Sequence, residues 1–472
     1  MQDKDERNLK IVIINDIYKN NLIQKYYLSL FSLKIPLIAK RYTNRYISYR
    51  LLFIIPITRK YGDYSRATLA HKGYKDILLR LKKQKSLRVA FLVKYDSMFP
   101  AKKIFEMMLL DSCFEPFIVV MPDTHRGEEL LFYEMAKTYQ KLSSSYSNVF
   151  QSYDFEKKEF IDFSSHIDIV YISYPYDWMT HKFYTINYLC QNALTILIQY
   201  SYTGLLTHNL DIYRLPEYEL LWKIYIENQN TYNLLKNEQK KFYENLCIAG
   251  YPKMDELRNF DKTNANKEKK KIIIAPHCSV PDDYSFHLSN FVRLSEFFLE
   301  LPLLYPQIDF IFRPHPLLFI TLIRYKVYEQ TGGGDSKEFV ENYLQRIDQI
   351  PNMLYQEGGD YFETFATSDA LIHDCGSFIA EYLYTDKPEA FIIQDKSIIT
   401  QEFTSFGAQV LNRLYLVSTQ KDIINFIDSV VLQGQDTMKE SRLNFAIQNI
   451  RINHPNASQA CFDDLKRNIF QN

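Results

Sequence analysis

The chain has 472 residues, 46% of them hydrophobic, and its 56 Lys and Arg are balanced by 56 Asp and Glu. That length exceeds one common hydrophobic core and predicts two or three domains, while the zero net charge excludes a polyanion signature for the molecule as a whole. No apolar run reaches the roughly 18 to 20 residues that span a bilayer, and six scattered cysteines without a Cys-x-x-Cys pair exclude a disulfide framework or a cysteine-based zinc site, as in a reduced, cytosolic protein.

The polar start, MQDKDERN, does not have the pattern of a secretory signal. Residues 17–62 then carry nine Lys or Arg and no Asp or Glu; through Arg88 there are seventeen basic residues against Asp63 and Asp76. Tyr26, Tyr27, Tyr42, Tyr46, Tyr49 and Phe53 are interleaved with them. Residues 1–86 are expected to form a basic, aromatic helical extension. Residues 17–88 fit the surface of an anionic membrane and equally a polyanionic acceptor. No nucleic-acid motif accompanies the charge, so nucleic acid is not expected as a partner.

Residues 87–94, 116–121, 166–173 and 194–199 read as buried strands separated by helical stretches such as 100–111, the pattern of a parallel sheet covered by helices. This predicts one domain over 87–250, ending in the turn Gly250-Tyr251-Pro252. The polar, Lys-rich residues 260–271 read as a linker. The pattern repeats over 251–440, with strands at 271–275, 308–312, 370–372 and 389–393 and helices at 290–301 and 378–384. Thr331-Gly332-Gly333-Gly334-Asp335 lacks the Gly-Lys-Ser/Thr ending and a preceding strand, so it reads as a loop and not a phosphate cradle. Residues 441–472 read as two helical pieces interrupted at His454-Pro455, packing back across the domains. The fold class is therefore α/β, with two sheet domains facing each other across a cleft.

Three polar clusters follow strands of the second half: Pro276-His277-Cys278-Ser279, Arg313-Pro314-His315-Pro316 and His373-Asp374-Cys375-Gly376-Ser377. In a parallel sheet all three share one edge, where open α/β sheets bind ligands. His277, Arg313, His315, His373 and Ser377 then surround one crevice, with Asp374 at the same strand end. So many donors beside a helix start suit a diphosphate rather than a metal held by carboxylates.

These clusters, with Gly250-Tyr251-Pro252-Lys253-Met254-Asp255, Ser289-Asn290-Phe291 and Ser368-Asp369-Ala370-Leu371-Ile372 leading into His373-Asp374, then Glu381 and Lys387-Pro388, resemble the CDP-glycerol glycerophosphotransferase family. That family comprises the teichoic-acid primases and polymerases; the resemblance is strongest to a branch of capsule and surface-polysaccharide loci. It covers residues 245–395, and residues 87–245 match in layout. It implies a GT-B fold of two facing Rossmann-like domains, with the CDP-activated donor on the C-terminal one and neither a cofactor nor a metal. His277, Ser279, His373 and Asp374 fall in the donor-side motifs. His315 would contact the donor diphosphate, Arg313 would support it or neutralise charge, Gly376 and Ser377 would bind phosphate, and Glu381 would face the ribose or cytosine.

Many members carry a His-Gly-Thr-Pro motif whose His is read as the acceptor-activating base. Here Gln199-Tyr200-Ser201-Tyr202-Thr203-Gly204 stands in its place, with Tyr202 where that His would be. An unperturbed Tyr, with a pKa of about 10, is a poor base near neutral pH. Asp177, His181 and His208 are the substitutes the sequence offers. The resemblance thus implies transfer of glycerol phosphate, or a related polyol phosphate, from CDP-glycerol or another nucleotide-activated donor to a polysaccharide or lipid-linked glycan, at the inner face of the cell membrane. A glycosyltransferase using a nucleotide sugar and a non-catalytic scaffold on the same fold are the alternatives.

Overall fold

The computed structural model describes residues 10–18, 21–30, 33–43, 45–61, 65–124, 128–239, 243–260, 269–280 and 286–470. The polar start and most of the 260–271 linker lie outside the described residues.

The expected helical extension is corrected. Lys10–Tyr18, Asn21–Leu30, Leu33–Tyr42, Tyr46–Leu51 and Ile55–Tyr61 form a five-stranded antiparallel sheet, adjacent in chain order. Ile and Tyr are the commonest residues of these segments, and β-branched and aromatic side chains fit a pleated surface better than a helix. The register pairs Ile11 with Leu28, Leu28 with Ile35, Ile13 with Tyr26, Tyr26 with Ile38, Ile38 with Leu51 and Leu51 with Ile55. Cross-strand partners share a face, so one face is a continuous apolar field, and on it Ile11, Ile13 and Ile55 are 66%, 52% and 52% exposed. The helix that follows, Arg66–Leu81, is not part of an extension. It buries Ala67, Ala70, Tyr74, Ile77 and Leu81 in the first main core, and the Tyr74 hydroxyl donates to Leu220 O at 2.5 Å.

The first main sheet has seven parallel strands in the order Leu246–Ile248, Lys223–Ile226, Leu194–Ile198, Ile169–Ile172, Leu87–Val93, Phe114–Val120, Val149–Gln151. The second has six: Met353–Tyr355, Ile308–Phe312, Lys270–Ala275, Ala370–His373, Glu389–Ile392, Tyr415–Val417, again all parallel. Strand order reverses between Lys270–Ala275 and Ala370–His373, so the loops leaving these two strands diverge and leave a crevice at their carboxyl ends. The triglycine stretch does not leave a strand. It joins the helix Val327–Gln330 to the helix Ser336–Asp348, which Asp335 caps through Glu338 N at 2.8 Å.

The two C-terminal helical pieces are Lys439–Asn449 and Ala457–Phe470. The first packs Phe445 and Ala446 against the second sheet's core; the second crosses back to bury Cys461, Phe462, Leu465 and Ile469 in the first. Buried Asp255 accepts the Ala457 and Ser458 N–H groups at 3.2 and 2.7 Å, satisfying the start of that last helix. Gly250 has φ +88°, and a Cβ there would lie 2.0 Å from Ile452 O, so the crossing backbone needs a glycine beneath it. Among the described residues no helix is long and apolar enough to cross a membrane.

The two halves also join beside the cleft. Leu206 forms a β-bridge with Phe403, Thr207 N donates to Glu402 O at 2.8 Å, and Thr404 N donates to Leu205 O at 2.9 Å. A Cβ on Gly407 would sit 2.1 Å from Leu205 O, so only glycine allows this approach.

Candidate active site between the two sheets

A cavity of about 340 Å³ opens between the carboxyl ends of the two sheets. From the second half it is lined by His277, Arg313, His315, Gly376, Ser377 and Glu381, and from the first by Tyr200, Tyr202 and His208. Parallel strands deliver these residues to one edge, as the order of the clusters in the chain requires.

The two imidazoles are held alike. His277 Nδ1 accepts the Ser279 backbone N–H at 3.1 Å, with Ser279 Oγ 2.9 Å away; His315 Nδ1 accepts the Leu317 N–H at 3.1 Å. A ring nitrogen that accepts carries no hydrogen, so in each neutral ring Nε2 is the donor. The ring centroids are 4.9 Å apart. Burial pushes the His277 pKa well below its ordinary value, and the neighbouring His315, His208 and His373 push the same way. Two N–H donors side by side suit oxyanion binding. Ser279 acts here through His277: it lies in the wall and orients the ring.

Arg313 leaves the strand Ile308–Phe312 and is 6% exposed. Its Nη2 donates to Gly359 O at 2.6 Å, and its Nη1 is buried with no acceptor among the described residues. Burial lowers its pKa, with Tyr361 and Asp360 opposing. Lys253, which the motif reading quoted without a role, also lines the cavity; its Nζ donates to Tyr200 O at 3.1 Å. Glu381 lines the cavity with its carboxylate engaged: Tyr361 OH donates at 2.6 Å and Tyr251 OH at 3.2 Å.

Four expected residues are placed elsewhere. His373 is fully buried behind the cavity wall, where Nδ1 accepts the Cys375 N–H at 3.1 Å and Nε2 meets Glu389 Oε1 at 2.7 Å. Asp374 is fully buried too and accepts the His277 and Asn290 N–H groups at 2.6 and 2.5 Å; burial pushes its pKa up to about 6 against those bonds. Both shape the loops and do not face the cavity. Asp177 sits in the first half away from the cleft, accepting Ile186 N at 2.6 Å and Asn187 N at 3.1 Å, with a pKa raised by burial. His181 stacks flat on Phe160 at 3.9 Å, outside the cleft as well. The helix after Ser377 is also shorter than expected: one α-turn, Phe378–Glu381, continued as a 3-10 turn over Tyr382–Thr385. Its dipole contributes little, and Ser377 offers mainly its hydroxyl and backbone.

Of the candidate bases, Tyr202 and His208 reach the cavity. The Tyr202 hydroxyl accepts from Asn228 Nδ2 at 2.6 Å, and burial raises its pKa well above 10. His208 stacks on Phe286 at 4.4 Å, and that ring in turn lies 5.4 Å from His277. Burial pushes the His208 pKa down to about 4, and Nδ1 has no hydrogen-bond partner among the described residues. It is therefore a neutral imidazole at neutral pH, facing the donor side from the opposite half. His277, Cys278 and His315 also bring three ligand atoms within 4.8 Å of one another, a nitrogen and sulfur set of the kind that suits zinc.

No family model matches the chain, and no curated protein does. Among solved structures, a variant of the wall teichoic acid polymerase TagF soaked with CDPG is similar, with a TM-score of 0.54 and 14% identity over 86% of this chain and 97% of that one. TagF without that soak gives 0.53 at 14% identity with the same coverage. A Listeria monocytogenes structure described as a UDP-N-acetylglucosamine 2-epimerase gives 0.50 at 12% identity over 82% and 98%. At such identities the likeness is one of fold. The protein has the GT-B fold, two Rossmann-like domains facing across a cleft, and the structures it resembles are enzymes.

Proposed function

We propose that the protein transfers glycerol phosphate, or a related polyol phosphate, from a CDP-activated donor to a polysaccharide or lipid-linked acceptor, with release of CMP. One observation carries this reading: His277 and His315 present Nε2–H donors to the same cavity as buried Arg313, and His208 lines it from the other half. An acceptor hydroxyl attacks the β-phosphorus as His208 takes its proton. The bond from that phosphorus to the bridging oxygen breaks, and the electron pair leaves on CMP. His277, His315, Arg313 and the Ser377 hydroxyl stabilise charge on the transferring group and on CMP. Gly376 lets Leu206 of the other half pack close to this loop; a Cβ there would lie 2.7 Å from Leu206 Cδ1.

Purified protein offered CDP-glycerol, CDP-ribitol and a panel of nucleotide sugars, with cell-envelope glycan as acceptor, is expected to release CMP from a CDP-polyol. Release from a nucleotide sugar alone would replace the chemistry with glycosyl transfer on the same fold. Absence of both donor binding and release would favour a scaffold.

The N-terminal sheet supports peripheral attachment to an anionic membrane: its apolar face is uncovered and its strands are strongly basic. Vesicles containing anionic lipid are expected to sediment the wild-type chain and lose the Ile13→Asp, Ile35→Asp double variant, while neutral vesicles sediment neither. Equal sedimentation of both proteins would refute the assignment of that face.

A further inference from the structure

We propose that Lys253 extends the oxyanion site of His277, His315 and Arg313 into a second seat, and that it receives a phosphate group. The proposal rests on the transferase reading for the identity of the first anion. Lys253 is 9% exposed and Arg313 6%. Among the described residues neither has a carboxylate partner: Lys253 Nζ meets Tyr200 O, Arg313 Nη2 meets Gly359 O, and Arg313 Nη1 meets no acceptor. Glu381, the carboxylate in the same wall, has its two oxygens on Tyr251 and Tyr361. Both cations lie over the Tyr361 ring, at 4.8 and 5.8 Å from its centroid. Glu381 and Asp360 act on Lys253 and Asp360 on Arg313, so these charges are partly balanced, but the Arg313 Nη1 donor is buried without an acceptor among the described residues, and an anion there would complete the site. A guanidinium fork beside an ammonium suits a phosphate.

The position separates this seat from the first. Lys253 lines the main cavity and also a second cavity of about 200 Å³, which His277, His315 and Ser377 do not line. In that second cavity Lys102 pairs with Glu256 and Lys141 with Asp96, so its rim charges are compensated. Lys253 stands where the two cavities meet. Burial lowers the Lys253 pKa, with Glu381 opposing and Arg313 reinforcing the shift, and a bound anion would work against that lowering.

The test is calorimetric titration of glycerol 3-phosphate into the full chain already saturated with CDP. Binding is expected, weakened at least about 10-fold by Lys253→Met and restored to within about 3-fold by Lys253→Arg, with CDP affinity changed less than about 3-fold in either variant. Displacement of glycerol 3-phosphate by CDP in the wild-type protein would mean that the donor's own phosphate fills the seat, and would overturn the proposal. Equal affinity in Lys253→Met would overturn it as well. If CDP does not bind, the transferase reading fails; glycerol 3-phosphate binding to the unliganded wild-type protein and its loss in Lys253→Met then decide the seat alone.

Discussion

Replacing His208 with glutamine is expected to lower the rate of transfer about 10³-fold while CDP binding changes little, within the range that general-base catalysis contributes. His208 is the one candidate base with both an accessible position on the cavity and a neutral ring at neutral pH. The pH profile gives a sharper check. Burial holds the His208 pKa at about 4, so the acid limb of the wild-type rate should fall near pH 4, not near the ordinary histidine value of about 6.5. The linkage has a definite sign. The unfolded chain takes up the proton first, so this group costs stability as pH falls from 6.5 towards 4 and none above 6.5. An acid limb at 6.5, or a glutamine variant as fast as wild type, would remove His208 from the mechanism.

Truncating Glu389 to alanine is expected to cost about 3 kcal/mol of stability in urea unfolding, since it strips the partner from a buried donor. His373 Nδ1 accepts the Cys375 N–H, so Nε2 carries the hydrogen and Glu389 accepts it, with both side chains at 0% exposure. Burial raises the Glu389 pKa while His373 lowers it. Glu389→Gln keeps an acceptor oxygen in place and should cost about 1 kcal/mol. A cost below about 0.5 kcal/mol for the alanine variant would show that the pair is not holding these strands.

The site was legible where chain direction alone decides placement. His277, Arg313, His315 and Ser377 follow parallel strands, so their arrival at one edge needs no knowledge of side-chain direction. His373 and Asp374 show where that reasoning stops. They also sit at a strand end, but one side chain turns into the core to meet Glu389 and the other is taken by two backbone N–H groups. Lys253 was in view as part of a motif, yet its burial against Tyr361 depends on a loop with no motif of its own. The strands Val149–Gln151, Met353–Tyr355 and Tyr415–Val417 were missed because three residues carry no measurable alternation. In the N-terminal region the density of Ile is a stronger backbone signal than the charge.

The bridge from Leu205 to Thr207 against Glu402 to Thr404 ends one residue before His208. Spreading the halves like a jaw would break those backbone hydrogen bonds beside the reacting groups. The two halves are thus stitched together beside the candidate site, and any opening there has to work around that seam.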